Sequence, residues 1–81
     1  MDTYEDRIRV LLQGVVNLNE SDTVSLAFII IHTSLIFSEV KNSDTLSERF
    51  LPQIEAVLRL LERKTQKSLD TLITELEVLY S

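Results

Sequence analysis

The chain has 81 residues, with 8 Lys and Arg against 13 Asp and Glu, which gives a net charge of −5 at pH 7. A chain this short is expected to form a single domain, residues 1–81, with a thin hydrophobic core. The absence of cysteine from it excludes disulfides, thiolate catalysis and zinc ribbons, and the acidic charge disfavours binding to a phosphate backbone.

One glycine and one proline leave β-hairpins and sandwiches without their turn residues, so the composition predicts an all-α fold. The apolar periodicity predicts a small antiparallel bundle of four helices. These helices are expected at about 3–17, 22–40, 44–64 (with a kink near Pro52) and 68–80. The acidic, polar N-terminus is unlike a secretory signal, which favours a cytoplasmic location.

The first predicted helix has one apolar face, because its hydrophobic residues recur at steps of three and four. These residues are Tyr4, Ile8, Leu11, Leu12 and Val15. Thr3 is expected to cap the helix, with Glu5 and Asp6 meeting the positive end of the helix dipole. Gly14, inside this helix, is expected to mark either close helix packing or a weak point.

Two stretches of eight residues are nearly identical, SDTVSLAF at 21–28 and SDTLSERF at 43–50. Ser, Asp and Thr side chains accept hydrogen bonds from the free amides of a first helical turn, so each stretch predicts a helix start. In the second copy Thr45 and Glu48 have the spacing of a reciprocal capping box. Shared capping chemistry accounts for the repeat, and an internal duplication is the alternative interpretation.

The second predicted helix is apolar on almost every side, and its polar residues form one narrow stripe of Ser25, His32 and Glu39. Its apolar run is shorter than the roughly 20 residues that span a membrane, so a core helix is predicted and no membrane contact. Three neighbours in so small a domain are too few to cover such a helix, so part of it is expected to bury against another chain. The predicted partner-binding residues are Ile29, Ile36, Phe37 and Val40. Ile36→Glu is accordingly expected to disturb assembly more than helix content.

The third and fourth predicted helices have separate apolar stripes, but the segment between them lacks both glycine and proline. Lys64 and Lys67 are typical of a helix end, and Ser68 is typical of a helix start, so a break near 65–68 is predicted rather than one long helix. Pro52 lies inside the third helix, where it removes one backbone hydrogen bond. A kink is therefore expected there, with a separate short turn at 44–50 as the alternative.

Residues able to carry out chemistry are few and scattered. His32 is the only histidine, and Ser25 and Glu39 on its stripe each lie seven residues away, roughly 10 Å along a helix axis. This spacing does not support a metal site or an acid–base relay. A single glycine also cannot form a phosphate-cradling loop. The sequence therefore predicts no enzyme, no metal and no cofactor.

The remaining function class is binding. We expect a small acidic protein–protein interaction module, of the inhibitor, immunity factor, chaperone or adaptor type, whose partner is another protein or a second copy forming a homodimer. One alternative is a signalling or carrier domain that is modified at His32 or Ser25. Another is a nucleic-acid-associated regulator that uses a basic cluster, although the electrostatics of a helix end explain the same cluster. The cluster consists of Arg59, Arg63, Lys64 and Lys67.

Overall fold

The computed structural model describes residues 3–19 and 21–80. Within these residues the chain forms four α-helices and no β-strand, which confirms the predicted all-α bundle. The helices are α1 (Tyr4–Val16), α2 (Thr23–Lys41), α3 (Asp44–Thr65) and α4 (Leu69–Tyr80). The first three pack against one another, whereas α4 packs against α2 and α3 and has no contact with α1 in the described part of the chain.

The core forms around α3, which, like α2, contacts each of the other helices. Its buried face consists of Phe50, Ile54, Val57 and Leu61. The link between α2 and α3 is only two residues long, and the Ser47 hydroxyl donates a hydrogen bond to the Val40 carbonyl at 2.7 Å across it. This bond holds the end of α2 against the start of α3.

Each helix begins beside a side chain that caps its first turn. The capping oxygens belong to Thr3, Asp22, Ser43 and Ser68, and they accept from the amides of Asp6, Ser25, Leu46 and Thr71 at 3.1, 3.1, 3.3 and 3.2 Å, respectively. The amides of a first turn have no partner within the helix, so these side chains satisfy donors that would otherwise depend on water. Local polar clusters therefore set the helix starts, as predicted for Thr3.

The two copies of the sequence repeat start their helices at different letters. Asp22, the second letter of the first copy, caps α2, whereas Ser43, the first letter of the second copy, caps α3. The predicted capping box of Thr45 and Glu48 is therefore wrong, because Thr45 already lies inside the first turn of α3. The same three letters start a helix in two registers, since Ser and Asp are both good N-cap residues.

The predicted break between the last two helices is confirmed. Gln66 has a φ of 58°, in the left-handed region, and its amide donates to the Glu62 carbonyl at 2.7 Å, which closes α3. Ser68 then caps the next helix. A left-handed residue and a new cap thus separate the helices without a glycine or a proline.

Pro52 lies within α3, which runs as one helix from Asp44 to Thr65. The alternative of a separate turn at 44–50 is therefore wrong. The Pro52 side chain is exposed, so its ring does not disturb the core face of the helix. The kink at this position stays a prediction.

Thr33 is the only polar side chain buried in the core among the described residues, and its exposed fraction is 0%. The Thr33 hydroxyl has no hydrogen-bond partner within the described structure. A buried hydroxyl that loses its bonds to water without gaining a protein partner costs roughly 1–3 kcal/mol. Thr33 is therefore a position where an apolar residue of the same shape would make the core more stable.

Thr33→Val is expected to raise the free energy of unfolding by about 1 kcal/mol, because valine keeps the shape and removes the unpaired hydroxyl. Urea denaturation followed by circular dichroism measures the change. Thr33→Ser is the matched control: it keeps the hydroxyl, removes the methyl group and is expected to lower the free energy by about 1 kcal/mol. A destabilising valine would mean that the hydroxyl is paired in the folded protein.

Candidate protein-binding surface

The four predicted partner-binding residues do not form an exposed surface. Ile29, Ile36 and Val40 have exposed fractions of 4%, 1% and 0% and belong to the core of the chain itself. Phe37 is half-buried and packs against that core, with the Lys41 ammonium 5.3 Å from its ring centroid. The assignment of Ile29, Ile36 and Val40 to a partner is therefore corrected, because they lie on the side of α2 that faces the other helices.

The exposed apolar residues of α2 lie on its opposite side. Val24, Phe28, Ile31 and Leu35 have exposed fractions of 73%, 52%, 47% and 52%. Their spacing of four, three and four residues aligns them along a single line on the helix surface. We call these four residues the outer stripe. Contiguous exposed apolar residues of this kind mark binding surfaces more often than isolated ones do.

A groove between α1 and α2 extends the outer stripe sideways. It encloses about 500 Å³, and its lining includes Val10 on α1 and both Val24 and Phe28 on α2. The Ile29 side chain packs over Gly14, where an added Cβ would lie 3.4 Å from Ile29 Cδ1, an ordinary van der Waals distance. The two predicted roles of Gly14 stay predictions, because this contact does not require a glycine. The exposed Val10 forms the far edge of the apolar surface.

The part of the apolar surface beside His32 is more polar than the groove. A second hollow of about 350 Å³ is lined by Phe28, His32 and, on α1, Asp6 and Arg7. The rings of Phe28 and His32 lie 4.2 Å apart at an angle of 39°, so His32 packs against the outer stripe. Arg7 pairs with the Glu39 carboxylate at 3.6 Å. Charged side chains therefore lie beside the apolar surface rather than within it.

The Glu39 carboxylate also affects Tyr4 at the start of α1. Its hydrogen bond with the Tyr4 hydroxyl raises the pKa of that phenol above its ordinary value, and burial adds to the effect. The Tyr4 ring packs on Phe50 with centroids 5.9 Å apart. These contacts tie α1 to α2 and α3 at one end of the bundle.

The residues proposed for modification are held in simple local contacts. The Ser25 hydroxyl donates to the Asp22 carboxylate at 2.6 Å, and this bond, with the bond from the Ser25 amide, lowers the pKa of Asp22. In residues 3–19 and 21–80 no group of three His, Cys, Asp or Glu side chains is arranged to hold a metal ion. Modification at His32 or Ser25 stays a prediction.

Members of the basic cluster are engaged within the chain. The Lys64 ammonium donates to the carbonyls of Val16 at 2.6 Å and Leu18 at 3.2 Å, at the end of α1. Lys67 pairs with the Glu75 carboxylate at 2.9 Å. Arg59 lies 3.9 Å from Glu55. The cluster therefore contributes to structure, and in particular Lys64 caps a helix end 48 residues away in the sequence.

The outer stripe makes α2 unusually apolar for a surface helix. With 19 residues and a mean hydropathy of 1.7, α2 is long and apolar enough to cross a membrane by length and composition alone, a test that core helices of soluble proteins also pass. One side of α2 packs in the core, and the other side carries the outer stripe. The apolar residues of α2 thus form two groups, one packed in the core and one exposed at the surface.

Comparison with protein-family models, curated protein sequences and solved structures finds no match to this chain. The surface geometry is therefore the basis for a functional proposal.

Proposed function

We propose that the chain is a small protein–protein interaction module that binds through the outer stripe of α2. The observation that supports this role is the line of four apolar side chains, Val24, Phe28, Ile31 and Leu35, each about half exposed or more. Burying a side chain of this size contributes about 1.5–3 kcal/mol when it is fully exposed at the start, so a partner covering all four gains substantial stabilisation. The role is non-enzymatic and cytoplasmic, of the inhibitor, immunity factor, chaperone or adaptor type.

The polar surroundings of the stripe also favour binding to a protein. Phe28 is central in the stripe and contacts both hollows, so it is the proposed anchor residue. Arg7, Asp6 and Glu39 supply charged groups at the edge of the surface, where hydrogen bonds and ion pairs orient a partner. An aromatic anchor surrounded by a polar rim is the usual composition of a protein interface.

Photo-crosslinking tests this proposal directly. A benzophenone amino acid placed at Leu35 is expected to capture a protein in cells of the source organism, whereas the same group at Gln53, exposed on α3, is the matched control and is expected to capture none. Adding Phe28→Glu is expected to reduce capture at Leu35 by about tenfold or more, since a carboxylate opposes burial of the stripe. No adduct at Leu35, or equal adducts at both positions, would contradict the proposal.

A second candidate function rests on the basic cluster. Arg63 is exposed on α3 beside Lys64 and Lys67, which leaves a locally positive surface on an acidic chain. The engagement of Lys64 and Lys67 in internal contacts makes this surface weaker as a phosphate-binding site than its composition suggests. The outer stripe is therefore the favoured site.

A further inference from the structure

The outer stripe has the same spacing when it is read from either end. Val24, Phe28, Ile31 and Leu35 are separated by four, three and four residues, the alternation that brings two helices into knobs-into-holes contact. The next position beyond Leu35 on the same line of α2 is Ser38, which is exposed and small. The stripe therefore has a centre, between Phe28 and Ile31, about which its two halves correspond.

We propose that the occupant of the outer stripe is a second copy of this chain, bound through an antiparallel pair of α2 helices about a two-fold axis. In this pair Phe28 packs against Ile31 of the second copy, and Val24 packs against Leu35 of the second copy. Two-fold pairing makes every contact occur twice, and antiparallel helices place unlike dipole ends together. This inference rests on the proposed binding role of the outer stripe.

The distribution of charge supports pairing with an identical surface. The sequence carries no Asp, Glu, Lys or Arg between Asp22 and Glu39, so the stripes meet without burying a charge. Two copies of a chain with a net charge of −5 nevertheless repel each other at long range. Salt screens this repulsion, and the self-pairing is therefore strengthened by salt. Docking on a basic partner would have the opposite salt dependence.

The size of the surface sets the expected strength of the pair. Four side chains exposed by about half provide on the order of 400 Å² per chain, and Val10 with the adjoining groove extends this area. Two copies then bury about 1,000 Å² in total, which is the lower limit for a specific interface. We expect a reversible dimer with a dissociation constant on the order of 100 µM, because much of the gain from so small an area offsets the cost of association.

Sedimentation velocity of the whole chain tests the pairing. From about 10 µM to about 1 mM the mass is expected to rise from 9.3 kDa towards twice that value, and more steeply in about 500 mM NaCl than in about 50 mM. Leu35→Glu is expected to weaken dimerisation by about tenfold or more. Gln53→Glu adds the same charge on exposed α3 and is expected to change it by less than about twofold.

Mixing variants tests the antiparallel arrangement. Val24→Lys and Leu35→Glu are each expected to weaken the homodimer. Mixing the two chains is expected to restore association, because the ammonium introduced into one copy then faces the carboxylate introduced into the other. A mixture that stays monomeric would overturn the antiparallel register. A wild-type chain that is monomeric at about 1 mM would overturn self-pairing altogether, yet capture of a different protein at Leu35 would leave the proposed binding function intact.

Discussion

Ile36→Glu is expected to unfold the chain. Ile36 is 1% exposed and belongs to the core cluster formed with α1 and α3. Placing a carboxylate there without a partner costs several kcal/mol, even if the group becomes protonated, and a chain of this size has only roughly 4–12 kcal/mol of stability in total. Far-UV circular dichroism and the thermal midpoint measure the loss of structure. This burial reverses the expectation from the sequence that Ile36→Glu would chiefly disturb assembly.

The neighbouring residue supplies the control. Leu35 is on the outer stripe, so Leu35→Glu is expected to keep the helix content and to change the free energy of unfolding of the monomer by less than about 1 kcal/mol. Two adjacent positions thus receive the same substitution with opposite outcomes for folding. An Ile36→Glu chain that folds with an unchanged midpoint would contradict the assignment of Ile36 to the core.

Lys64→Met is expected to lower the free energy of unfolding by about 1.5–3 kcal/mol, the usual contribution of hydrogen bonds made by a charged group. The Lys64 ammonium bonds to two carbonyls at the end of α1, where it also meets the negative end of the helix dipole. Methionine keeps most of the apolar stem and removes only the charged donor. Urea denaturation of the variant measures the loss.

Lys67→Met is the matched control for this prediction. Lys67 forms an ion pair with Glu75 between side chains that are each about half exposed, and such pairs contribute about 0–1 kcal/mol. We therefore expect a large loss of unfolding free energy for Lys64→Met and a small loss for Lys67→Met. Equal losses would show that the Lys64 bonds to α1 add no more than an exposed ion pair.

The fold was largely predictable because its main signals are local. A helix start depends on one side chain and the amides three residues on, so the polar clusters at Thr3 and Ser68 identified their helices from sequence alone. The register within the SDT repeat was not predictable, because Asp22 and Ser43 are equally suitable caps at different letters. The break between α3 and α4 was predictable although the segment lacks a glycine, because the basic residues around it are typical of a helix end.

The candidate binding surface could not be predicted from the spacing of residues along the sequence, because α2 has two stripes with the same spacing. Ile29, Thr33, Ile36 and Val40 form the buried stripe, and Val24, Phe28, Ile31 and Leu35 form the outer one. The buried stripe contains a threonine and the outer stripe contains only apolar residues, so hydrophobicity would choose the wrong side. Only the position of α2 against the other helices distinguishes the two.

The short link after α2 therefore fixes its rotational register. The two stripes are related by a turn of about 140° around the helix axis and a shift of roughly 7.5 Å along it, so an α2 rotated and shifted in this way would offer a similar apolar ridge to its neighbours. The Ser47 bond to Val40 and the two-residue link oppose that movement. In a chain with a longer link, the unpaired Thr33 hydroxyl would itself favour the rotated state, since it would then reach water. The short link between α2 and α3 thus determines which side of α2 is exposed to other molecules.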